Sequence, residues 1–243
     1  MLKAILFDLD GTLLPLDLEI FVSKYCAAIG SYFASKVEPK LFIKELMSAT
    51  EVMINNSGEL TNEEVFMKRF LPAINQNKAD MYPLFAEFYQ HEFPKLKKYA
   101  GHSQLARSIG GQALAKGYKI ALATNPVFPQ MATEHRMEWA GINNLPWDLV
   151  TTYENSRYSK PNPEYFREVC AKIKMAPQEC LMVGNDVQED LVASTLGMQT
   201  FLVVDHLIDR GKPVYQPDFQ GTLAEFAEFI NRLPQLSRQE FSS

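Results

Sequence analysis

Short apolar runs that alternate with helix-length patterns constrain this fold more than any other feature of the sequence. Each run is bounded by polar or turn-forming residues, as expected of buried strands. The runs occupy residues 3–8, 118–123, 148–151, 180–184 and 199–204. Strands that alternate with helices form βαβ units, so we expect an α/β fold built on a Rossmann-like parallel sheet.

Helical patterns lie between and after these runs. One covers residues 103–116, and another begins at Asn162-Pro163, where Asn suits the N-cap and Pro the first helical position. We expect a third helix directly after Asp186, an exposed linker over residues 211–219 and a last helix around 222–233.

The stretch from Pro15 to Pro94 shows helical spacing and no convincing strand. Its first helical pattern stops at Gly30, and Thr61 with Glu64 has the form of a capping box. Because a helical insertion cannot share a sheet, we expect residues 15–94 to form a separate helical subdomain. Residues 1–14 and 95–243 would then form the α/β core.

Composition excludes several classes of protein. Apolar residues make up 47% of the 243 residues and the net charge is −5, which fits a globular protein and offers no basic surface for nucleic acid. Three scattered cysteines argue against a disulfide framework and a zinc site. No apolar run is long enough for a membrane span or a signal peptide, so we expect a cytoplasmic protein that does not bind membranes.

Two acids, Asp8 and Asp10, follow the first apolar run in the string DLDGTL. In an open α/β sheet, ligands bind beyond the carboxyl ends of the strands. On a strand that passes into a glycine turn, both carboxylates can approach one site. One can then act as a nucleophile and the other as an acid and base.

Three other polar groups follow later strands in the same way. Thr124 and Asn125 end the second run, where a hydroxyl and free backbone N–H groups can cradle an anion. Lys160 precedes a proline-stiffened helix start, and Asp186 and Asp190 follow the run at 180–184.

The charges of this set predict a cation. Asp8, Asp186 and Asp190 would repel one another and a phosphate at close range, by about 4 kcal/mol per pair of unit charges at 4 Å. Lys160 supplies one positive charge, and a hard divalent ion would supply two more. Carboxylates without nearby His or Cys favour Mg²⁺, so the residue types predict a metal-assisted phosphoryl site.

The sequence resembles the haloacid dehalogenase-like hydrolase superfamily. Four ordered motifs carry the resemblance, and they span residues 1–14 and about 95–206. The motifs are DLDGTL at 8–13, ATN at 123–125, KPNPEYF at 160–166 and VGNDVQED at 183–190. Residues 15–94 resemble the helical cap that this family inserts after its first strand.

The resemblance implies a role for each motif. Asp8 would form an aspartyl-phosphate, and Asp10 would protonate the leaving oxygen and then activate water. Thr124 and Asn125 would bind the phosphoryl group, and Lys160 would stabilise the nucleophile and the transition-state charge. Mg²⁺ would be held by Asp8, the backbone carbonyl of Asp10 and Asp186.

The fourth motif departs from the Gly-Asp of many members, because Gly184 is followed by Asn185 and then Asp186. Both Asp186 and Asp190 are therefore candidates for the direct metal ligand, and we favour Asp186.

The sequence supports a Mg²⁺-dependent phosphatase acting on a small phosphorylated metabolite. The alternatives are a phosphomutase of the β-phosphoglucomutase type and a non-catalytic regulatory member of the fold. A 2-haloacid dehalogenase is disfavoured because it needs no second acid such as Asp10. Four basic residues of the helical segment are candidates for substrate contact: Lys24, Lys44, Lys68 and Arg69. The oligomeric state is left open.

Overall fold

A parallel sheet with β1 near its centre organises the fold. The computed structural model describes residues 1–237. Within that range the strands are β1 (Ala4–Phe7), β2 (Lys119–Leu122), β3 (Leu149–Val150), β4 (Cys180–Gly184), β5 (Gln199–Val203) and β6 (Phe219–Gly221). Their order is β3-β2-β1-β4-β5-β6 and every neighbouring pair is parallel. The predicted α/β, Rossmann-like fold is thus confirmed.

Strand β1 is fully buried, as its unbroken apolar sequence requires. Phe7 at its end lies opposite Leu122 of β2 and Val183 of β4. The chain segments that follow these three strands therefore leave the sheet at the same edge, side by side.

Five of the strands fall in the predicted apolar runs, whereas β6 was missed. The prediction assigned residues 211–219 to a linker, but Phe219 already belongs to β6. This edge strand has three residues, of which Phe219 and Gln220 are exposed, so no apolar run marks it.

Helices cover the sheet in the second half of the chain. They are α5 (Gln104–Ala115), α6 (Gln130–Trp139), α7 (Pro163–Ile173) and α8 (Leu223–Arg232). The predicted N-cap of α7 is confirmed, because the Asn162 side chain accepts a 3.0 Å hydrogen bond from the backbone N–H of Glu164. Helix α6 was not predicted from the sequence.

The helix expected directly after Asp186 is absent from the described chain, and this prediction is wrong. Residues Leu191–Leu196 form a short 3₁₀ helix instead. The Asp186 carboxylate accepts the backbone N–H groups of Gln188 and Glu189, at 3.0 and 2.9 Å, and so holds that stretch in a turn. The 3₁₀ helix then ends at Gly197, which has a φ of +82°.

Helices alone occupy the chain between Leu18 and Tyr99. The α-helices are α1 (Leu18–Tyr32), α2 (Pro39–Ile54), α3 (Asn62–Ala73) and α4 (Lys78–Glu87). A π turn (Phe88–Glu92) and two 3₁₀ helices (Phe33–Ser35 and Phe93–Tyr99) complete the segment. The predicted capping box of α3 is confirmed, whereas α1 continues past Gly30 to Tyr32.

This helical segment is joined to the sheet region at more than its two ends. The chain enters and leaves it side by side, because the backbone N–H of Gly101 donates to the carbonyl of Pro15 at 2.7 Å. Asn62, fully buried at the start of α3, donates to the Pro126 carbonyl and to the Ser159 hydroxyl, at 3.2 and 3.0 Å. One apolar cluster also runs from Phe7 of β1 into these helices.

No helix within residues 1–237 is both long and apolar enough to cross a membrane.

Candidate active site

The end of β1 delivers Asp8 and Asp10 to the predicted edge of the sheet. Asp8 is still within the hydrogen-bond ladder, because its N–H donates to the Val183 carbonyl at 2.8 Å. Gly11 then turns the chain with a φ of +82°. A Cβ at this position would lie 2.4 Å from Nδ2 of Asn185, so both the turn and the packing require glycine.

Lys160 forms the centre of a buried charge cluster. Its side chain is 1% exposed, and Nζ donates to Oδ1 of Asp8 at 2.8 Å and to Oδ1 of Asp190 at 2.6 Å. Burial opposes the charge on Lys160, but Asp190 and Asp8 outweigh it and hold the pKa of this lysine well above its usual value. The predicted contact between Lys160 and Asp8 is therefore present.

Both carboxylate oxygens of Asp190 accept hydrogen bonds. Oδ1 accepts Lys160, and Oδ2 accepts the backbone N–H of Asp186 at 3.0 Å. Burial raises the pKa of Asp190 to about 7, although Lys160 acts in the opposite direction. This carboxylate therefore positions Lys160 and the Asp186 backbone in the structure.

Asp186, the favoured metal ligand, is paired with a residue that the sequence analysis missed. Arg210 donates through Nη1 to both of its oxygens, at 2.7 and 2.6 Å. Arg210 lies in the loop after β5, and its side chain is 49% exposed. The partner of Asp186 is therefore a half-exposed cation from a loop.

Asp10 is also paired with an arginine that the sequence analysis missed. Arg136 of α6 is 1% exposed and donates through Nη1 to Oδ2 of Asp10. Its guanidinium group also lies over the ring of Phe128, 4.6 Å from the centroid. In the sequence, Arg136 is a charged residue at helical spacing with Ala132, Thr133 and Met137, all of which α6 buries. A buried arginine needs an anionic partner, so this spacing was the available signal.

The two acids of the first motif have different environments. Burial raises the pKa of Asp10 above its usual value, while Arg136 acts to lower it. Oδ1 of Asp10 is buried and has no hydrogen-bond partner among the described residues. Asp8 instead contacts Lys160, and its Oδ2 accepts a long hydrogen bond of 3.4 Å from Thr12. Such a difference suits one nucleophile and one acid.

The second motif also reaches the site. Thr124 is buried, and its backbone carbonyl accepts hydrogen bonds from Thr151 and Tyr165. Asn125 donates to Oε2 of Glu189 at 3.0 Å, whereas its Oδ1 is buried and unpartnered within residues 1–237. Burial raises the pKa of Glu189 to about 7, and Asp186 adds to this effect.

A cavity of about 200 Å³ brings most of the predicted residues together. Asp8, Asp10, Thr124, Asn125, Asp186 and Asp190 all line it, together with Arg136 and Glu189. None of the four basic candidates of the helical segment is among the described lining residues. Arg69, for example, is paired with Glu45 at 2.8 Å.

The predicted metal ligands do not form a ready-made carboxylate cage. Among residues 1–237, no three His, Cys, Asp or Glu side chains are grouped so as to hold a metal ion. Lys160, Arg136 and Arg210 instead contact the four predicted acids. This pairing supplies positive charge that the sequence analysis had assigned to Lys160 and a divalent ion.

The donor set nevertheless suits Mg²⁺, which is commonly held by one or two carboxylates, substrate phosphate and water. The acids that line the cavity offer only oxygen donors. Asp8 retains an oxygen with no cation bound to it, and the loop position of Arg210 leaves Asp186 open to exchange of partners. Residues Asp8 and Asp186 therefore fit this ion better than Asp190 does.

Comparisons with known proteins agree with the motifs and the fold. A family model described as haloacid dehalogenase-like hydrolase matches residues 2–194. Pyrophosphatase PpaX of Bacillus cereus is 23% identical over 240 residues, which cover 98% of this chain and 99% of that protein.

Two solved structures share the fold. The HAD phosphatase from Thermococcus onnurineus has a TM-score of 0.61 and 20% identity, covering 97% of this chain and 100% of that one. The 2-haloacid dehalogenase from Pseudomonas syringae pv. Tomato has a TM-score of 0.65 and 18% identity, covering 96% and 99%.

Proposed function

The chain belongs to the haloacid dehalogenase-like hydrolase family, and from this premise we propose that it is a Mg²⁺-dependent phosphatase. Its substrate is a small phosphorylated metabolite, and the reaction passes through an aspartyl-phosphate, an acyl phosphate on the Asp8 carboxylate. The observation that carries this proposal is the pair of neighbouring acids in unlike environments. Asp8 contacts Lys160, whereas Asp10 has a raised pKa and an unpartnered oxygen.

In the first proposed step, Oδ2 of Asp8 attacks phosphorus while the bond from phosphorus to the leaving oxygen breaks. Asp10, whose pKa is raised by burial, gives a proton to that oxygen. In the second step, Asp10 takes a proton from water as the water oxygen attacks the same phosphorus. The bond between phosphorus and Oδ2 of Asp8 breaks, inorganic phosphate leaves and the Asp8 carboxylate is restored.

Residues in the cavity and next to it bind and orient the phosphoryl group. Lys160 keeps Asp8 in place and offsets negative charge, and Thr124 and Asn125 contribute donors at the end of β2. Mg²⁺, held by Asp8, the backbone carbonyl of Asp10 and Asp186, would neutralise charge on the phosphoryl oxygens. Asp190 supports this arrangement through Lys160 and the Asp186 backbone.

We also propose that the chain divides into a catalytic core, residues 1–14 and 95–243, and a helical cap, residues 15–94. The adjoining crossings at Pro15 and Gly101 support this division. The helices cover the cavity from one side, because Leu18 and Val22 of α1 and Ile54 of α2 are part of its lining.

Substitution of Asp8 tests the proposal. Asp8→Asn keeps the size of the side chain and removes its nucleophilic charge, so we expect no turnover of 4-nitrophenyl phosphate with Mg²⁺. Asp80→Asn, on the exposed first turn of α4, is the matched control and should behave like the unchanged protein. Retained turnover in purified Asp8→Asn protein would overturn the mechanism.

A screen of substrates separates phosphatase from phosphomutase activity. Because a relative is named as a pyrophosphatase, the panel includes pyrophosphate beside sugar phosphates and other small phosphate esters. A phosphatase releases inorganic phosphate, whereas a mutase converts a sugar 1-phosphate into its isomer. Absence of both reactions across the panel would favour the non-catalytic alternative.

A further inference from the structure

A second cavity lies next to the charged one and is of opposite character. It has a volume of about 140 Å³ and is enclosed by α1 to α4, the π turn and the loops after β2 and β3. No charged residue is among its lining within residues 1–237, and its walls include Leu46, Phe66 and Phe85. A cavity of this size and lining excludes ions and suits an apolar group.

Three hydroxyl groups of this second cavity already form hydrogen bonds within the protein. The hydroxyl groups of Tyr25 and Tyr89 form a hydrogen bond of 2.8 Å. The Thr50 hydroxyl donates to the backbone carbonyl of Leu46 at 2.9 Å. These groups therefore make little demand for a polar ligand, and the cavity offers mainly apolar contact.

The two cavities adjoin. Val22, Val127 and Phe128 line both of them. The guanidinium group of Arg136 lies over the ring of Phe128 and forms an ion pair with Asp10. Asp10 is the proposed donor of a proton to the leaving oxygen. The apolar cavity therefore begins next to the residues that hold Asp10.

We propose that the apolar cavity between α1, α2 and α3 binds the organic part of the substrate, which is a neutral apolar group about the size of a benzene ring. The inference rests on the proposed phosphatase function and narrows its substrate class to phosphate esters of aromatic or branched aliphatic alcohols. A second phosphate or a carboxylate in that position would lose its hydration without meeting a cation.

Two phosphonates that the enzyme cannot hydrolyse test this proposal. Benzylphosphonate and methylphosphonate carry the same anionic group and differ in the apolar part alone. We expect calorimetric titration of the full chain with Mg²⁺ to show benzylphosphonate binding at least about tenfold more tightly, because filling an apolar pocket commonly gives such factors. Inorganic pyrophosphate should show no comparable advantage over methylphosphonate.

Variants that fill the apolar cavity test whether it causes the difference in affinity between the two phosphonates. In Thr50→Phe, the ratio of the two affinities should fall toward one, because the new ring occupies the space. Val52→Phe adds the same ring to an exposed position of α2 and should keep the ratio. Cys26→Met, which fills the cavity from α1, replaces Thr50→Phe if that variant does not fold.

The outcomes distinguish this inference from the function on which it rests. Equal affinities in the unchanged protein would overturn the apolar subsite and leave the phosphate site standing. Failure of both phosphonates to bind would overturn both proposals. An advantage for benzylphosphonate that persists in the filled variant would overturn the assignment to this cavity.

Discussion

The buried cluster around Lys160 predicts a large energetic effect of one substitution. In Lys160→Met, the side chain keeps a similar length but loses its charge, and Asp8 and Asp190 are left facing each other without a cation. Removing one partner of a buried ion pair destabilises a protein by about 3–5 kcal/mol. We expect the free energy of unfolding to fall by that amount at pH 8.

Lys95→Met is a matched control. Lys95 is paired with Glu92 at 2.7 Å, close to the 2.6 Å between Lys160 and Asp190, but its side chain is 65% exposed. An exposed pair contributes less than about 1 kcal/mol. Urea unfolding, followed through the fluorescence of Trp139 and Trp147, measures both variants.

The loss in Lys160→Met should also depend on pH. Asp190 already has a pKa of about 7 in the folded protein, above its usual value of 3.8, and loss of Lys160 raises it further. Between these values the folded state binds the proton and the unfolded state does not. From pH 5 to 7 the stability of both proteins falls as pH rises; above pH 7 only that of the variant continues to fall, so the loss caused by Lys160→Met grows above pH 7, by up to about 1.4 kcal/mol per pH unit for this group. Equal losses in Lys160→Met and Lys95→Met, or a loss independent of pH, would refute the reasoning.

Three further substitutions test other contacts. Arg136→Met removes a group that lowers the pKa of Asp10, so the high-pH limb of kcat/KM should move to higher pH; an unchanged pH profile of 4-nitrophenyl phosphate turnover would argue against Asp10 as the acid. Arg210→Gln frees Asp186, so calorimetry should show tighter Mg²⁺ binding than in the unchanged protein, whereas weaker binding would show that Arg210 supports the metal site. Asn62→Ala leaves the Pro126 carbonyl and the Ser159 hydroxyl without the Asn62 donor, so the free energy of unfolding should fall by about 1–3 kcal/mol. The exposed control Asn55→Ala should lose less, and equal losses would contradict a role of Asn62 in joining α3 to the sheet region.

The strands were predictable because burial on both faces leaves a continuous apolar run. Residues 3–8 contain β1 for this reason. Strand β6 was not predictable from the sequence, because an exposed edge strand of three residues needs no continuous apolar run. The turn after Asp186 was missed because its carboxylate binds neighbouring backbone N–H groups, which the helical pattern does not reveal.

The site was predictable where its residues follow strands and unpredictable where they come from elsewhere. Asp8, Thr124 and Lys160 could be grouped because parallel strands share one carboxyl edge. Arg136 reaches Asp10 from a helix 126 positions along the chain, and Arg210 reaches Asp186 from a loop 24 positions away. Such pairings depend on the tertiary arrangement, and the sequence offers at most the hint of a charge on a buried helix face.

The central place of β1 in the sheet has a consequence for the order in which the protein can fold during synthesis. This strand is made before its two partners, β2 and β4, which begin at Lys119 and Cys180. Until they emerge from the ribosome, the apolar residues of β1 have no sheet to enter, and Asp8 and Asp10 have no cation beside them. Pairing across such long separations is slow and leaves apolar segments exposed meanwhile. Asp8 and Asp10, directly after β1, are charged residues of the kind that limit aggregation of an exposed apolar strand.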